Sequence, residues 1–177
     1  MAVRPILIYG DTRLHQKAEP VTSINSDTQE LIDDMFEALY NSHGVGLAAT
    51  QLGINKSILI IDLHNKEDNK EENPDEQLKF ALINVEIIDK KGSSVFEEGC
   101  LSVPGIYANV ERPEEITIRY IDRNSESVKM QCSGLLARTI LHEYDHLQGI
   151  LFIQRLKPAI RKKLSSQLRK LTQGALL

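Results

Sequence analysis

A chain of 177 residues, 41% apolar and 26% charged, has the length to bury a core and the size of one domain. No apolar run approaches a membrane span, and residues 1–7 carry one basic residue and no long apolar core, so neither a membrane protein nor a secretory signal is expected. Net charge is −4, yet seven Lys or Arg and no acid lie from Leu147 onward, and the two cysteines of an apparently cytosolic chain are expected to bind metal, serve catalysis or sit buried rather than form a disulfide.

In chain order, a first helix is predicted from Ser26, with Asp27 and Glu30 at the spacing of a capping pair. Leu31, Ile32, Met35, Phe36, Leu39 and Tyr40 form its core-facing stripe. It ends near residues 42–44, where His43 favours the helix dipole. The small residues of Gly44-Val45-Gly46-Leu47-Ala48-Ala49-Thr50-Gln51 let a backbone lie close to a neighbour, or mark tight helix packing. A buried strand spans 57–62, then residues 65–77 read as an acidic exposed loop with His64 solvated at its edge. Further strands are predicted near 79–83, 85–90, 94–97, 106–111, 115–121 and 127–132, with Cys132 a small core residue at the end of the last.

Two helices close the chain. Leu135, Leu136, Ile140, Leu141 and Leu147 set the first, with Gly149 as its stop. The second runs from Pro158 to Leu171 with a stripe through Ile160, Leu164, Leu168 and Leu171, decorated by Arg161, Lys162, Lys163, Arg169 and Lys170. Its basic residues form either a solvated face or an attractor for a polyanion such as RNA. This order indicates one α+β domain over 1–177, mostly antiparallel strands around a helix, with helices at both ends and a basic tail from 158.

The helix before Gly149 carries His142-Glu143-Tyr144-Asp145-His146. Positions four apart share a helix face, so both imidazoles can reach one ion while Glu143 stands beside it as a general base. Catalytic zinc-type sites take three protein ligands and leave one position for water. Residues 147–177 contain no His, Asp, Glu or Cys, so a third ligand has to come from upstream. Candidates are Cys100, Cys132, His15, His43, His64 and the upstream carboxylates. Cys100 stands out in Glu97-Glu98-Gly99-Cys100-Leu101-Ser102-Val103-Pro104-Gly105, where Gly99 lets backbone approach a ligand. Asp145 is expected to anchor the helix, with Arg112 as its partner. Arg138, one turn before His142, is more polar than an apolar side-chain pocket suggests.

Three stretches in series resemble the peptide deformylases: Gly44 to Gln51, Glu98-Gly99-Cys100-Leu101-Ser102, and His142 to His146. The resemblance implies a metallohydrolase that removes the formyl group from N-formylmethionyl peptides and releases formate. It implies Cys100, His142 and His146 as metal ligands and Glu143 as general base and acid. It further implies Gln51 and the Leu101 N–H as oxyanion donors, and Val45, Gly46 and Gly99 along the bound peptide. Fe²⁺ is then the expected ion in the cell, with Zn²⁺, Ni²⁺ or Co²⁺ as replacements. A cytoplasmic monomer acting near the ribosome is expected, with ribosomal RNA as a partner for the basic tail. Two other readings stand beside this one: a small zinc peptidase, and a non-catalytic metal-folded RNA-binding module.

Overall fold

The computed structural model describes residues 4–65 and 79–174. Its five-stranded sheet is antiparallel throughout, in the order β1 (Gly46–Ala48), β2 (Ile58–Asp62), β3 (Lys79–Lys91), β6 (Glu115–Ile121) and β7 (Ser127–Ser133). The remaining strands, β4 (Ser94–Cys100) and β5 (Val103–Arg112), form a separate antiparallel hairpin. Among the described residues three α-helices complete the fold: α1 (Ser26–Asn41), α2 (Gly134–Leu147) and α3 (Pro158–Gly174). The α+β class and the antiparallel strands agree with the sequence reading. The predicted loop at 65–77 lies, apart from Asn65, outside the described residues.

Strand β2 is an apolar run from Ile58 to Ile61 because both of its faces are buried. Leu59 and Ile61 face a cluster that includes Ala137, Ile140 and Leu141 of α2. Ile58 and Ile60 face Leu31, Ile32, Met35, Phe36 and Leu39 of α1. Side chains alternate across a strand, so burial on both faces demands apolar residues at every position. A third cluster seats the hairpin: Val103, Ile106, Ala108 and Val110 pack with Leu14, Leu151, Phe152, Ile153, Leu156 and Leu168.

Several boundaries differ from expectation. Asn25, not Asp27, caps α1, its side chain accepting from the Thr28 N–H at 3.1 Å. His43 lies past the helix end with φ 55°, so its backbone turns the chain. The expected strands at 79–83 and 85–90 are one strand with register shifts on either side of Glu86 and Ile87. Asn84 takes φ 52° there, and its amide both donates to and accepts from Val21 at 2.8 Å. In α3, Leu168 is buried and Leu164 and Leu171 are partly so, but Ile160 is exposed and falls off the stripe. His64 is half-exposed, 3.5 Å from the Asp62 carboxylate.

Candidate active site

Helix α2 ends in a motif that fixes its last turn. The Gly149 N–H donates to the His146 carbonyl and the Ile150 N–H to that of Asp145, while Gly149 adopts φ 72°. A Cβ at Gly149 would meet the His15 carbonyl at 2.5 Å, so both conformation and space require glycine. With the helix register set, three stripes face three ways. Ala137, Ile140, Leu141 and Leu147 face the sheet. Arg138, His142 and Asp145 face the hairpin, where each finds a polar partner. Glu143 lies against Gly46 of β1 together with Thr139.

Cys100 closes β4 and pairs with Val103 across a two-residue turn, after an offset in pairing between Glu98 and Cys100. Irregularities of this kind re-aim side chains beside sites. They bring the Cys100 Sγ to 3.1 Å from His146 Nε2. One donor atom each from Cys100, His142 and His146 lies within 4.8 Å of the others. One sulfur and two ring nitrogens converging this closely fit a divalent ion with a position left for solvent or substrate. Among the described residues the other upstream candidates do not join them. Cys132 is buried and burial pushes its thiol up to about 11, which makes it a core residue.

Glu98 is the hub behind these three side chains. Its Oε2 lies 3.0 Å from His142 Nδ1, so that nitrogen carries the proton and the other ring nitrogen is free to ligate. Arg112 grips the same carboxylate with both Nε (2.6 Å) and Nη2 (2.9 Å), and Arg138 adds Nη1 at 2.6 Å. Burial alone would raise this carboxyl, but the bonds from His142 and Arg112 hold it down at about 2. Arg112 also donates to Asp145 at 2.9 Å, the anchoring partnership expected for that aspartate, and Arg155 adds a second clamp on Asp145.

Glu143 is 4% exposed, and burial pushes its carboxyl up to about 7 against the pull of His142 and Arg112. Among the described residues, its Oε2 and the His146 Nδ1 are the buried side-chain polar atoms without a hydrogen-bond partner. A Cβ on Gly46 would sit 2.7 Å from Glu143 Oε1 and 2.9 Å from its Cγ. The neighbour that demands glycine at position 46 is therefore the candidate base. At Gly99 the Tyr107 ring plays the same part, since a Cβ there would meet it at 2.5 Å.

Gln51 is 1% exposed, in the short 3-10 turn Ala49–Leu52 that follows β1. Its Oε1 accepts from the Ala48 N–H at 2.9 Å, which turns the Nε2 toward Ser102 Oγ (3.1 Å) and Cys100 Sγ (3.8 Å). Leu101 lies in the turn next to Cys100, and Val45 precedes β1, the edge strand of the sheet, its carbonyl accepting from the Asp62 N–H.

Two features escape a reading of the sequence. Glu98 stands inside the Glu-Gly-Cys-Leu-Ser motif with no evident role, and only the fold shows that it joins two arginines to a histidine. Arg138 reads in the sequence only as a residue more polar than an apolar pocket suggests, with water as one destination for its head. Instead it is 8% exposed, and its head is spent on Glu98, the Val110 carbonyl and Ser94.

The sequence matches the profile of the polypeptide deformylase family over residues 3–162. A peptide deformylase of Acidobacterium capsulatum is 46% identical over 174 residues, covering 98% of this chain and 98% of the relative. A crystal structure of a peptide deformylase from Legionella pneumophila superposes with TM-score 0.85 at 38% identity, covering 97% of this chain and 96% of the other. The peptide deformylase of Ehrlichia chaffeensis superposes with TM-score 0.86 at 32% identity, over 99% and 100% of the two chains. The chain belongs to the polypeptide deformylase family.

Proposed function

We propose that this protein hydrolyses the N-terminal formamide of N-formylmethionyl polypeptides, giving formate and a free amino terminus. The observation that carries the reading is the convergence of Cys100, His142 and His146 beside a buried carboxylate with an unpartnered oxygen. Cys100, His142 and His146 hold one divalent ion. When bound, that ion supplies Lewis acidity to the formyl carbonyl and lowers the pKa of water toward neutrality. Glu143 takes a proton from the attacking water at Oε2 and returns it to the departing amine nitrogen. Burial pushes that carboxyl up from its ordinary value, the direction that suits a group which must both take and return a proton. Gln51 Nε2, aimed by the Ala48 N–H, and the Leu101 N–H donate to the developing oxyanion. Val45, Gly46 and Gly99 bind the peptide main chain, Val45 just before and Gly46 within β1, the end strand of the sheet among the described residues.

All of these groups come from one chain, so one copy completes the site, and we take the protein to act as a monomer with one catalytic domain over residues 1–177. The ion in the cell is Fe²⁺, with Zn²⁺, Ni²⁺ or Co²⁺ able to replace it at a thiolate and two imidazoles. Among the described residues no helix is long and apolar enough to cross a membrane, and we place the protein in the cytoplasm beside the translating ribosome. The basic face of α3 is its contact with ribosomal RNA: Arg161 and Arg169 line a groove with Tyr9, Ser165 and Thr172 and no acid. Because Leu168 packs under the hairpin, the test is substitution rather than deletion. Arg161→Gln with Arg169→Gln is expected to weaken ribosome binding and flatten its salt dependence, and unchanged binding removes this contact.

Formate release from formyl-Met-Ala, compared with cleavage of acetyl-Met-Ala and Met-Ala, tests the reaction itself. Turnover of the formyl substrate alone is expected. Cleavage of the unblocked or acetylated dipeptide at a similar rate points to the peptidase reading instead.

A further inference from the structure

The Cys100 ligand and the two histidines arrive on different pieces of the fold. Cys100 ends strand β4 of the β4–β5 hairpin, which shares no ladder with the five-stranded sheet. His142 and His146 ride on α2, which is packed on that sheet. The apolar cluster of the hairpin takes its other members from the N-terminal stretch and the residues after α2. Where α2 itself faces the hairpin, the contacts are polar.

We infer that Arg138 is a positioning residue that fastens the hairpin to α2 and so sets the distance between Cys100 and the histidine pair. Its Nη1 donates to Glu98 Oε1 (2.6 Å) and to the Val110 carbonyl (3.1 Å). Its Nη2 donates to both the carbonyl (2.9 Å) and the hydroxyl (3.0 Å) of Ser94. Ser94 and Val110 lie near the far end of the hairpin from Cys100, on its two strands, while Glu98 lies two residues before Cys100. One planar head therefore ties three points of the hairpin to one turn of helix. Only arginine has this fork of donors, and the Phe96 ring, 5.1 Å from the guanidinium carbon, covers it from the solvent side.

Glu98 passes the constraint on. Arg138 and Arg112 Nε share its Oε1, which leaves Oε2 to Arg112 Nη2 and to His142 Nδ1. The carboxylate cannot rotate without breaking a charged bond, so the His142 ring is held from behind. The sequence spacing matches this division of labour: Arg138, His142 and Asp145 stand four and three apart on one face of α2.

This inference rests on Cys100, His142 and His146 being the ligands. The test measures loss of cobalt from the cobalt-loaded full chain to excess chelator, together with the sulfur-to-cobalt absorption band. Arg138→Met keeps the stem and leaves Glu98 paired with Arg112 and His142, so folding is expected to survive. Loss of the ion is expected to be about 10- to 100-fold faster, with a shifted or weakened band. Arg138→Lys retains the charge but lacks the fork, and an intermediate rate is expected. Should Arg138→Met fail to fold, the lysine variant alone decides. Wild-type rates and band in both variants overturn the inference, as does a raised KM with unchanged cobalt loss, which would assign Arg138 to substrate. A wild-type chain that binds no cobalt overturns the ligand assignment instead.

Discussion

Toward the five-stranded sheet, α2 presents Ala137, Ile140, Leu141 and Leu147; toward the hairpin it presents Arg138, His142 and Asp145. The first seam is apolar and non-directional, so it tolerates small shifts at small cost. The second is built from charged hydrogen bonds at fixed angles, so it holds a geometry rather than a volume. A metal site needs its donors in one arrangement, and the candidate donor from the hairpin meets the two from α2 across the polar seam. Both seams hold the fold together, but only the hairpin seam also fixes a position.

Substitutions can separate the two. The largest effect is expected from Glu143→Gln, which should cut kcat by roughly 10²- to 10⁴-fold while metal content and unfolding midpoint stay near wild type. A variant with a surviving rate would remove Glu143 as the base. Next comes Arg112→Met, which takes one cation from between Glu98 and Asp145. Breaking a buried ion pair in this way costs about 3–5 kcal/mol, readable by urea unfolding of the metal-free chain. A loss below about 1 kcal/mol would mean that the polar seam is dispensable to folding. Gly46→Ala pushes a methyl into Glu143 and Thr139 from the sheet side, at about 1–3 kcal/mol, with activity falling further than stability. On the apolar seam, Ile140→Val should cost only about 0.5–1.5 kcal/mol and leave metal release unchanged. A metal-release rate altered by this change would collapse the distinction between the seams.

The smallest effect concerns the thiol of Cys132. Its folded-state value of about 11 stands above the ordinary value near 9, so the neutral thiol favours the fold. That contribution is complete below about pH 9 and is lost as pH rises through about 11. Cys132→Ala should flatten this part of the alkaline stability curve, and an unchanged slope would place the thiol in water.

The candidate donors carried by one helix are legible in the sequence because periodicity is local: His142 and His146, with Glu143 beside them, need only a helix to define their faces. Strands β6 and β7 are legible for the same reason. Cys100 is reached by eliminating the tail and by the glycine beside it. Glu98 and Arg138 are not legible, since their partners lie 44 and 40 residues away along the chain and neither breaks a local pattern. Asn84 misleads differently, because its positive φ interrupts a strand that the side-chain clamp on Val21 then carries through.

The central claim is that a sulfur from the hairpin and two nitrogens from α2 hold the ion that the hydrolysis needs. The direct measurement is elemental analysis and formate release on one anaerobically purified sample of wild type and of Cys100→Ser. The account predicts about one divalent ion per chain with formate release in the wild type, and loss of both in the variant. A Cys100→Ser protein that keeps its ion and its rate would contradict it.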